Sequence, residues 1–577
     1  MILDLRHNSR LNPEHYDALK KISFTKSNDF NNLIGKISES FFDKIDWWVT
    51  LPASRNTIQS PLFYHFCCIH FIIELIGTGK NIDKIIVDSP ELTRAIKRLR
   101  EKKGLSFDID GPNIKLPSFP LYIWKSFKHF YAMWRSKRLQ FQAAKNTKNL
   151  SKILPRDSLI LIDQFVFPNF ITKERYYNGL WDNLSLDDKE RTFFVPTLVM
   201  IKDEDYEDAY RKLRNCNRHF LIKEDYLKIS DLLFSLFHFF RVWFIKPSKQ
   251  KVDDIDISYL IREELLSGSS FENAIDGILN YCFAKRLKEN SIDLSLVIDW
   301  WEGQPMDKGW NLGFNKYFPD TLVKGYLGYA PRITELQLRP SESEVKFGVA
   351  PKIINTIGKQ HSYDLESKDS PAQFETAPAF RFNHLWDNHN PKVQQYSKSF
   401  KILLALSVME NESVTICKQV IQSGLIENDR FNFLIKPHPT MNINTLKIRL
   451  GGKWNNNLKE IEGFTPDYIR MSDLLITGMS SVGLEAVVMG VPVIIVETMT
   501  GLSYDPIPES VPKELWRTCR TPEGITESIN YFSNRSPSEV RMHKTLSTQI
   551  KQDYFKPVTK ESVYNFLRPK LNSETNL

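Results

Sequence analysis

The 577-residue sequence predicts an α/β protein built from two doubly wound parallel sheets. Short apolar runs, bounded by polar or turn residues, alternate with longer helical patterns in both halves of the chain. Such runs are typical of strands that are buried on both faces of a parallel sheet and covered by helices. The length corresponds to about three or four domains, or to two large ones. Two doubly wound domains facing each other across a cleft are the simplest arrangement consistent with both observations.

The first half of the chain contains five predicted strands, and each ends in a polar residue or a turn. Asp88, Asp163 and Asp299 directly follow three of them. Ligands of open α/β sheets bind at the carboxyl ends of the strands, so these positions are candidate site positions. The predicted strands are 84–87, 158–162, 192–200, 294–298 and 321–327.

The second half repeats this pattern with predicted strands at 346–349, 401–406, 432–435, 474–477 and 492–496. Residues 359–378 are polar and contain two prolines, which predicts an exposed loop. Pro331 and Pro340 interrupt the periodicity and place the joint between the domains near 329–343. We therefore predict an N-terminal domain of residues 1–335, a second domain of residues 336–545, and a C-terminal helix in 546–577 that packs back on the first domain.

The composition excludes several classes of protein. Hydrophobic residues make up 42% and charged residues 25%, which excludes a disordered chain, a collagen-like chain and a small disulfide scaffold. The net charge of +8 is a mild excess that suits an anionic ligand or an acidic membrane surface without requiring nucleic acid. Six cysteines without CxxC spacing, and an N-terminus without a secretory signal pattern, predict a cytoplasmic protein.

Two apolar segments, 63–76 and 232–245, are interrupted by polar residues and are too short to span a bilayer. The first is typical of a buried core helix. The second carries six aromatic residues and is followed by Lys246, Lys249 and Lys251. It is either a core helix or a helix that rests on a membrane, so a peripheral position on the inner face of the cytoplasmic membrane stays open.

The strongest local signal is a strand–turn–helix pattern in residues 473–496. A buried strand leads into Gly478, and Ser480 and Ser481 then open a predicted helix. Unpaired backbone N–H groups at a helix N-terminus, together with two hydroxyls, suit a phosphate. The alternative is that Ser480 is a helix cap. Glu485, one turn into the helix, is either a hydrogen-bond acceptor for ribose hydroxyls or a solvated helix residue.

The second signal is the tetrapeptide Lys436-Pro437-His438-Pro439, which directly follows a predicted strand. The two prolines exclude a helix there and hold His438 at the carboxyl end of the strand. An imidazole at that position could donate a hydrogen bond or a proton to a leaving phosphate. An isolated His-Pro pair is usually structural. This one precedes the strand–turn–helix pattern by about forty residues, and that order favours a function.

In this order, KPHP (436–439) and ITGMSSVGLEAVVMGVPVIIV (476–496) resemble the nucleotide-binding domain of GT-B glycosyltransferases. They look most like bacterial sialyltransferases, Kdo transferases and CDP-glycerol polymerases, all of which use cytidine nucleotides. The resemblance implies that His438, Ser480 and Ser481 bind the donor phosphate, that Glu485 contacts the ribose, and that Lys436 belongs to the same donor site. Residues 46–56, 297–311 and 324–331 resemble, more faintly, bacterial surface-carbohydrate biosynthesis proteins.

Glu302 is the leading candidate for a catalytic base. It follows a predicted strand, Asp299 and the pair Trp300-Trp301, and desolvation by the indoles would raise its pKa. The two tryptophans could also offer flat faces to sugar rings. The alternatives are that the tryptophans form core and that Glu302 pairs with Lys308. Asp299 is the second candidate for the base and Asp163 the third.

Together with the residues above, the resemblance implies a metal-independent glycosyltransferase of surface polysaccharide synthesis, either O-antigen of lipopolysaccharide or capsule. The donor would be a CMP-linked ulosonic acid such as Kdo, with no cofactor, and the acceptor a glycan or a lipid-linked glycan. Patterns for metal, dinucleotide or ATP sites are absent from the sequence. The alternatives are a CDP-glycerol or polyol phosphotransferase and a non-catalytic glycan-binding scaffold. A UDP-sugar 2-epimerase is also possible, but the chain is long for that class.

Overall fold

The computed structural model describes residues 1–114, 116–253, 255–269, 271–332, 334–366, 370–387, 399–438, 441–451, 454–455, 457–502 and 506–568. The chain divides into two units. The first contains Met1–Arg6, Lys21–Asn383 and the described residues from Lys556 onward. The second contains His7–Lys20 and His384–Phe555.

The strands form two six-stranded sheets, a three-stranded sheet and a short antiparallel hairpin. In chain order the described strands are β1 (Ile2–Asp4), β2 (Lys84–Ile86), β3 (Asp108–Asp110), β4 (Leu159–Val166), β5 (Thr192–Leu198), β6 (Lys251–Val252), β7 (Ile255–Asp256), β8 (Leu294–Trp300), β9 (Leu322–Leu327), β10 (Ile353–Thr356), β11 (Gln373–Thr376), β12 (Phe400–Ala405), β13 (Phe431–Lys436), β14 (Leu458–Glu460), β15 (Leu474–Thr477), β16 (Val493–Val496) and β17 (Trp516–Cys519).

Helices separate most of these strands, as a doubly wound topology requires. In chain order the described α-helices are α1 (Pro13–Thr25), α2 (Ser27–Glu39), α3 (Ile45–Trp48), α4 (Leu51–Ser54), α5 (Leu62–Gly77), α6 (Pro90–Lys103), α7 (Phe119–Asn146), α8 (Leu180–Asn183), α9 (Leu186–Arg191), α10 (Tyr206–Asn215), α11 (Ile229–Leu236), α12 (His238–Arg241), α13 (Ser258–Ser267), α14 (Phe271–Glu289), α15 (Pro305–Tyr317), α16 (Glu342–Lys346), α17 (Lys359–Glu366), α18 (Glu410–Gln422), α19 (Ile443–Arg449), α20 (Thr465–Arg470), α21 (Val482–Val488), α22 (Pro522–Ser533), α23 (Pro537–Tyr554) and α24 (Lys560–Leu567).

The six-stranded sheet of the first unit has the order β11-β10-β9-β8-β4-β5, and every pairing in it is parallel. Every residue of β4 is buried, and so is every residue of β8 except one, because helices cover both faces. Strand β5, the next in the chain, pairs with one side of β4, and β8 pairs with the other side. The direction of winding therefore reverses between β4 and β8, which is where ligands bind in sheets of this topology.

The six-stranded sheet of the second unit has the order β14-β13-β12-β15-β16-β17, again with parallel pairings throughout. The winding reverses between β12 and β15, which is the strand order of the Rossmann fold. The predicted fold class, an α/β protein with two Rossmann-like doubly wound sheets, is confirmed.

Helices α14 and α15 of the first unit approach each other unusually closely, because glycines stand at their contact. A Cβ at Gly309 would collide with the backbone of Gly277, and one at Gly277 would lie 2.7 Å from the Pro305 carbonyl oxygen. Only hydrogen atoms fit between the two backbones at this crossing. The contact fixes α15, which directly follows the turn that carries Glu302.

The predicted domain boundary is corrected by the structure. Residues 346–349 are not a strand, and the predicted loop at 359–378 contains α17 and strand β11. Strand β10 pairs with β9 and β11 pairs with β10, so both belong to the first sheet. The chain therefore passes to the second unit between Asn383 and His384 rather than at residue 336. The prolines near 329–343 interrupt a connection within one domain. The C-terminal segment of the first unit begins at Lys556, later than the predicted residue 546.

Candidate functional site

Glu302 lies just beyond the carboxyl end of β8, beside the point where the winding of the first sheet reverses. The turn that presents it is specified locally. Gly303 has φ = 66°, and a Cβ there would collide with the Gln337 carbonyl oxygen. The Asp307 carboxylate accepts hydrogen bonds from the backbone N–H groups of Glu302 and Gln304, both at 2.9 Å. This capping interaction fixes the turn to the start of α15.

The Glu302 carboxylate is held by two side-chain donors. Trp300 Nε1 donates to Glu302 Oε1 at 2.8 Å, and Gln304 Nε2 donates to Glu302 Oε2 at 2.6 Å. Burial raises the pKa of Glu302, and the two donors and the charge of Arg381 oppose the shift. A partly exposed carboxyl with a raised pKa and fixed orientation is suited to accepting a proton.

Three further carboxyls, of Asp163, Asp299 and Asp307, surround this turn and are all buried. Burial raises the pKa of Asp163 to about 7, against the Lys223 ammonium and the backbone N–H groups of Gln164 and Trp300. It also raises the pKa of Asp299, and the neighbouring carboxyls of Asp307 and Asp163 add to that shift.

Burial separates the roles of Glu302 and Asp299. Asp299 has no exposed surface, and its Oδ2 accepts a hydrogen bond from Asn311 Nδ2 at 2.6 Å. Of these four acidic residues, Glu302 is the one that is partly exposed. Asp299 therefore has the surroundings of a positioning residue rather than of a group that touches substrate.

The expectation that Trp300 and Trp301 offer faces to sugar rings is corrected, because both side chains are fully buried. The Trp300 ring packs against Tyr176, with ring centroids 4.5 Å apart, and Trp301 Nε1 donates to the Leu338 carbonyl oxygen at 3.0 Å. These tryptophans are core residues. Trp300 still contributes through its indole N–H, which orients Glu302.

Lys308 does not pair with Glu302. Its ammonium donates to Glu344 Oε1 at 2.7 Å, and Arg55 donates to Glu344 Oε2 at 2.5 Å. Burial opposes ionisation of Glu344, but the two cations lower its pKa below the ordinary value. This buried triad joins residues from the segments 46–56 and 297–311, which the sequence analysis singled out together, and it braces α15 behind the turn.

Two arginines near Glu302 were not found from the sequence. Arg381 is partly buried, and its charge acts on Glu302, on Tyr176 and on Arg175. The Arg175 guanidinium lies over the Tyr176 ring, 5.7 Å from its centroid, and burial lowers the pKa of Arg175. The two cations come from segments about 200 residues apart, and local pattern carries no signal for such a pair.

In the second unit the structure brings the two predicted donor-binding segments to one sheet edge. Lys436 ends β13 and Thr477 ends β15, and both are register partners of Ala405 on the intervening strand β12. Two strand spacings separate them by about 10 Å. Lys436 and His438 therefore emerge on one side of β12, and Ser480 and Ser481 on the other, at the point where the winding reverses. Pro439 and Thr440 lie outside the described residues.

The turn after β15 differs from the predicted phosphate-binding helix start. Helix α21 has only seven residues. Glu412 of α18 is buried beside Gly478 and accepts the Met479 backbone N–H at 2.7 Å. An N–H group that the prediction left available to an anion is thus already used. Gly490, with φ = 84°, follows the end of the helix.

The serine hydroxyls are available to a ligand. The Ser480 hydroxyl accepts only a long hydrogen bond, 3.5 Å, from the Val482 N–H. The Ser481 hydroxyl forms no hydrogen bond with any residue that the structure describes. Both residues are partly exposed. Neither acts as a tight helix cap, so the capping alternative loses its support.

Glu485 contacts a histidine that the sequence analysis missed. His384 Nε2 lies 2.6 Å from Glu485 Oε1, and the His384 carbonyl oxygen accepts a hydrogen bond from Arg470 at 2.6 Å. A ribose hydroxyl would have to share Glu485 with this imidazole. His384 does not directly follow a strand, so a search for polar residues at strand ends does not find it.

Comparison with solved structures finds weak similarities that extend over most of the chain. The MnaA–UDP structure of S. aureus has 10% identity and a TM-score of 0.43, covering 73% of this chain and 98% of its own. The Methanocaldococcus jannaschii UDP-GlcNAc 2-epimerase in complex with UDP-GlcNAc and UDP has 13% identity and a TM-score of 0.43, covering 71% and 99%. The Burkholderia xenovorans α,α-trehalose-phosphate synthase has 11% identity and a TM-score of 0.42, covering 71% and 99%.

No protein-family model matches the sequence, and no curated protein sequence does so either. At these TM-scores the structural similarities carry no argument about function. The assignment of the fold rests on the strand orders and registers of the chain itself.

Proposed function

We propose that the protein is a metal-independent glycosyltransferase that uses a nucleotide-linked sugar. The donor is a CMP-linked ulosonic acid of the Kdo type, and the acceptor is a hydroxyl of a growing surface glycan, of O-antigen or capsule. The KPHP and Ser-Ser motifs, with their resemblance to cytidine-nucleotide transferases, support the nature of the donor. The proposal assigns donor binding to the second unit and acid–base chemistry to the first.

One observation carries this proposal. In each of the two six-stranded sheets, the predicted chemical groups lie at the carboxyl edge, where the winding reverses. The first sheet presents the oriented carboxyl of Glu302, and the second presents Lys436, His438, Ser480 and Ser481. Ligand sites of doubly wound sheets form at this position. A proton acceptor and an anion-binding set are the two functions that glycosyl transfer requires.

In the proposed reaction an acceptor hydroxyl oxygen attacks the anomeric carbon of the donor sugar. Its proton passes to the Glu302 carboxylate, which Trp300 and Gln304 hold in a fixed orientation. The bond between the anomeric carbon and the phosphate oxygen breaks, and CMP leaves with the bonding electrons. Lys436 and the hydroxyls of Ser480 and Ser481 stabilise the charge on the leaving phosphate, and His438 donates a hydrogen bond or a proton to it.

A thermal-shift panel of CMP, CDP, UMP and UDP on the full chain tests the choice of nucleotide. A ligand at one hundred times its dissociation constant stabilises a protein by about 2.7 kcal/mol, which is readily measured. We expect stabilisation by CMP. Stabilisation by uridine nucleotides instead of CMP would contradict the choice of a cytidine donor, and no effect of any nucleotide would favour the scaffold. The polyol phosphotransferase also releases CMP, so release of CMP from CMP-Kdo rather than nucleotide binding separates it from the sugar transferase.

Replacing His438 tests the donor site directly. We expect His438→Ala to weaken the CMP shift and to reduce release of CMP from CMP-Kdo, because it removes a donor to the phosphate. The matched control is His129→Ala, an exposed histidine on α7 of the other unit. Unchanged CMP release by a folded His438→Ala protein would remove this residue from the mechanism.

A further inference from the structure

We propose that one face of the first unit binds the surface of an anionic lipid bilayer. This aromatic face consists of Trp124, Phe127 and Tyr131 on α7 together with Phe234, Phe237 and Phe244 from residues 234–244. The inference goes beyond the proposed function, because it uses none of the residues assigned to catalysis or to the nucleotide.

Helix α7 presents three large aromatic side chains to solvent along one side. Trp124, Phe127 and Tyr131 are spaced by three and four residues, which places them on the same helix face. Their exposed fractions are 66%, 58% and 70%. Lys128 and Arg135 occupy the same face by the same spacing and are also exposed. Aromatic and basic side chains thus alternate along this side of the helix.

The second segment is packed onto α7 and extends the same face. The ring centroids of Phe127 and Phe240 lie 5.0 Å apart, and those of Phe130 and Phe237 lie 5.7 Å apart. The Tyr122 hydroxyl donates to the Phe239 carbonyl oxygen at 2.7 Å. These contacts hold the two segments in one surface, to which the segment adds Phe244 with 69% exposure.

The charge of both segments is entirely positive. Residues 111–156 contain ten lysines and arginines and no acidic residue, and residues 232–252 contain four and no acidic residue. The number of basic residues in these two segments together exceeds the net charge of the whole chain, +8. The two segments that form the aromatic face therefore contribute basic but no acidic side chains to its surroundings.

An anionic bilayer complements this combination of properties. Trp, Tyr and Phe side chains insert at the level of the lipid headgroups, while nearby lysines and arginines contact anionic lipids. Exposed aromatic side chains in such number on one face otherwise remain in unfavourable contact with water. Within the described residues no helix has both the length and the apolarity to cross a bilayer. The face therefore fits a protein that rests on a membrane surface.

Co-sedimentation of the full chain with phosphatidylcholine vesicles, with and without phosphatidylglycerol, tests the inference. We expect binding to the vesicles that contain phosphatidylglycerol and little binding to neutral ones. Hydrogen exchange measured with and without vesicles should show protection of α7 and of residues 234–244. Equal binding to both kinds of vesicle, no binding to either, or protection elsewhere would overturn the inference.

Two sets of variants separate the apolar from the charged contribution. The triple variant Trp124→Ala, Phe127→Ala, Tyr131→Ala should lose most of the vesicle binding. Its control replaces three exposed apolar residues outside the face, Leu186, Tyr363 and Ile448, by alanine.

In the charge set, Lys128→Glu with Arg135→Glu should weaken binding by at least about fivefold for each position. Lys459→Glu with Lys544→Glu, at two exposed lysines of the second unit, should leave it unchanged. If the variants of the face stay folded and bind vesicles like the wild type, the inference is wrong. Weaker binding in the controls as well would also contradict it, because that result would indicate a nonspecific effect of net charge.

Discussion

At the scale of single residues, burial distinguishes the carboxyl that can react from those that cannot. Glu302 and Asp299 are three residues apart, yet only Glu302 reaches solvent. The surrounding carboxyls also matter, because each raises the cost of ionising its neighbours. Glu302 is therefore both accessible and biased toward holding a proton, which a general base needs in the transition state.

Replacing Glu302 by Gln should lower kcat by about 10²- to 10⁴-fold, because it removes the proton acceptor and keeps the size of the side chain. Binding of CMP in a thermal-shift assay should not change, since the nucleotide residues belong to the second unit. In the wild type kcat should rise with pH as Glu302 ionises, and this dependence should disappear in the variant. The matched control is Glu190→Gln, an exposed glutamate of the same unit. A fully active Glu302→Gln protein would contradict the assignment.

Asp163 should make the protein less stable as the pH rises. Its folded pKa of about 7 exceeds the unfolded value of about 3.9. Between these two pH values the Asp163 carboxyl is protonated in the folded state and ionised in the unfolded state. Stability therefore falls with increasing pH across this window, by up to about 4 kcal/mol for a shift of this size. Asp163→Asn should be more stable than the wild type above about pH 7 and similar below about pH 4.

Urea unfolding of both proteins, once above about pH 7 and once below about pH 4, measures this effect as a change in the free energy of unfolding. Asp187→Asn, at an exposed aspartate, serves as the control and should change neither value by more than about 0.5 kcal/mol. An Asp163→Asn protein with the same pH dependence as the wild type would show that another group causes the slope.

At the scale of secondary-structure elements, the position of the Glu302 turn depends on how closely α14 and α15 approach. The glycines at their contact leave room for backbone against backbone. The buried triad of Arg55, Lys308 and Glu344 then ties α15 to α16 and to the residue after α4. Breaking such a triad leaves buried charge without a partner, which costs about 3–5 kcal/mol.

Gly309→Ala should destabilise the protein by about 1–3 kcal/mol or more, because the new methyl group would collide with Gly277 across the helix contact. The displaced α15 should also reduce turnover, since it carries the Asp307 cap of the Glu302 turn. The control is Gly77→Ala at the end of α5, where a Cβ has no neighbour within 4 Å. Equal stability of the two variants in thermal unfolding would show that the helices can separate at no cost.

At the scale of the whole molecule, the second unit is assembled from two distant parts of the chain. Asp17 accepts a hydrogen bond from Arg520 at 2.6 Å, and Lys20 pairs with Glu497 at 3.3 Å. The Leu11 backbone N–H donates to the Met499 carbonyl oxygen at 2.9 Å. Residues 7–20 are therefore part of this unit although they are more than 350 residues from the rest of it.

A fragment of residues 336–545, the second domain as predicted from sequence, should not fold to a stable monomer. It lacks residues 7–20, and it carries strands β10 and β11 without β9, the strand that joins β10 to the rest of the first sheet. Unpaired strand edges of this kind promote aggregation. Residues 384–555 joined to residues 7–20 by a flexible linker should instead show cooperative thermal unfolding by circular dichroism. Cooperative unfolding of the 336–545 fragment would contradict the division into units described above.

Local pattern predicted the elements well where a strand was apolar and buried on both faces, as for β4, β8, β15 and β16. It missed β1, β3, β10, β11, β14 and β17, which are short or have polar residues, and whose pairing depends on a neighbouring strand. For the candidate site, it singled out Glu302, His438, Ser480 and Ser481 as candidates because strand ends and turn residues mark them. It missed Arg175, Arg381, His384 and Glu412, whose positions depend on contacts across the fold.

The sequence by itself determined the α/β class, most of the core strands and the side chains at their carboxyl ends, because hydrophobic periodicity and turn chemistry act over a few residues. The tertiary structure alone decided which strands share a sheet, where one unit passes to the other, and which of several carboxyls is exposed. Those properties arise from contacts between residues that are hundreds of positions apart, and the free energy of such contacts leaves no trace in local pattern.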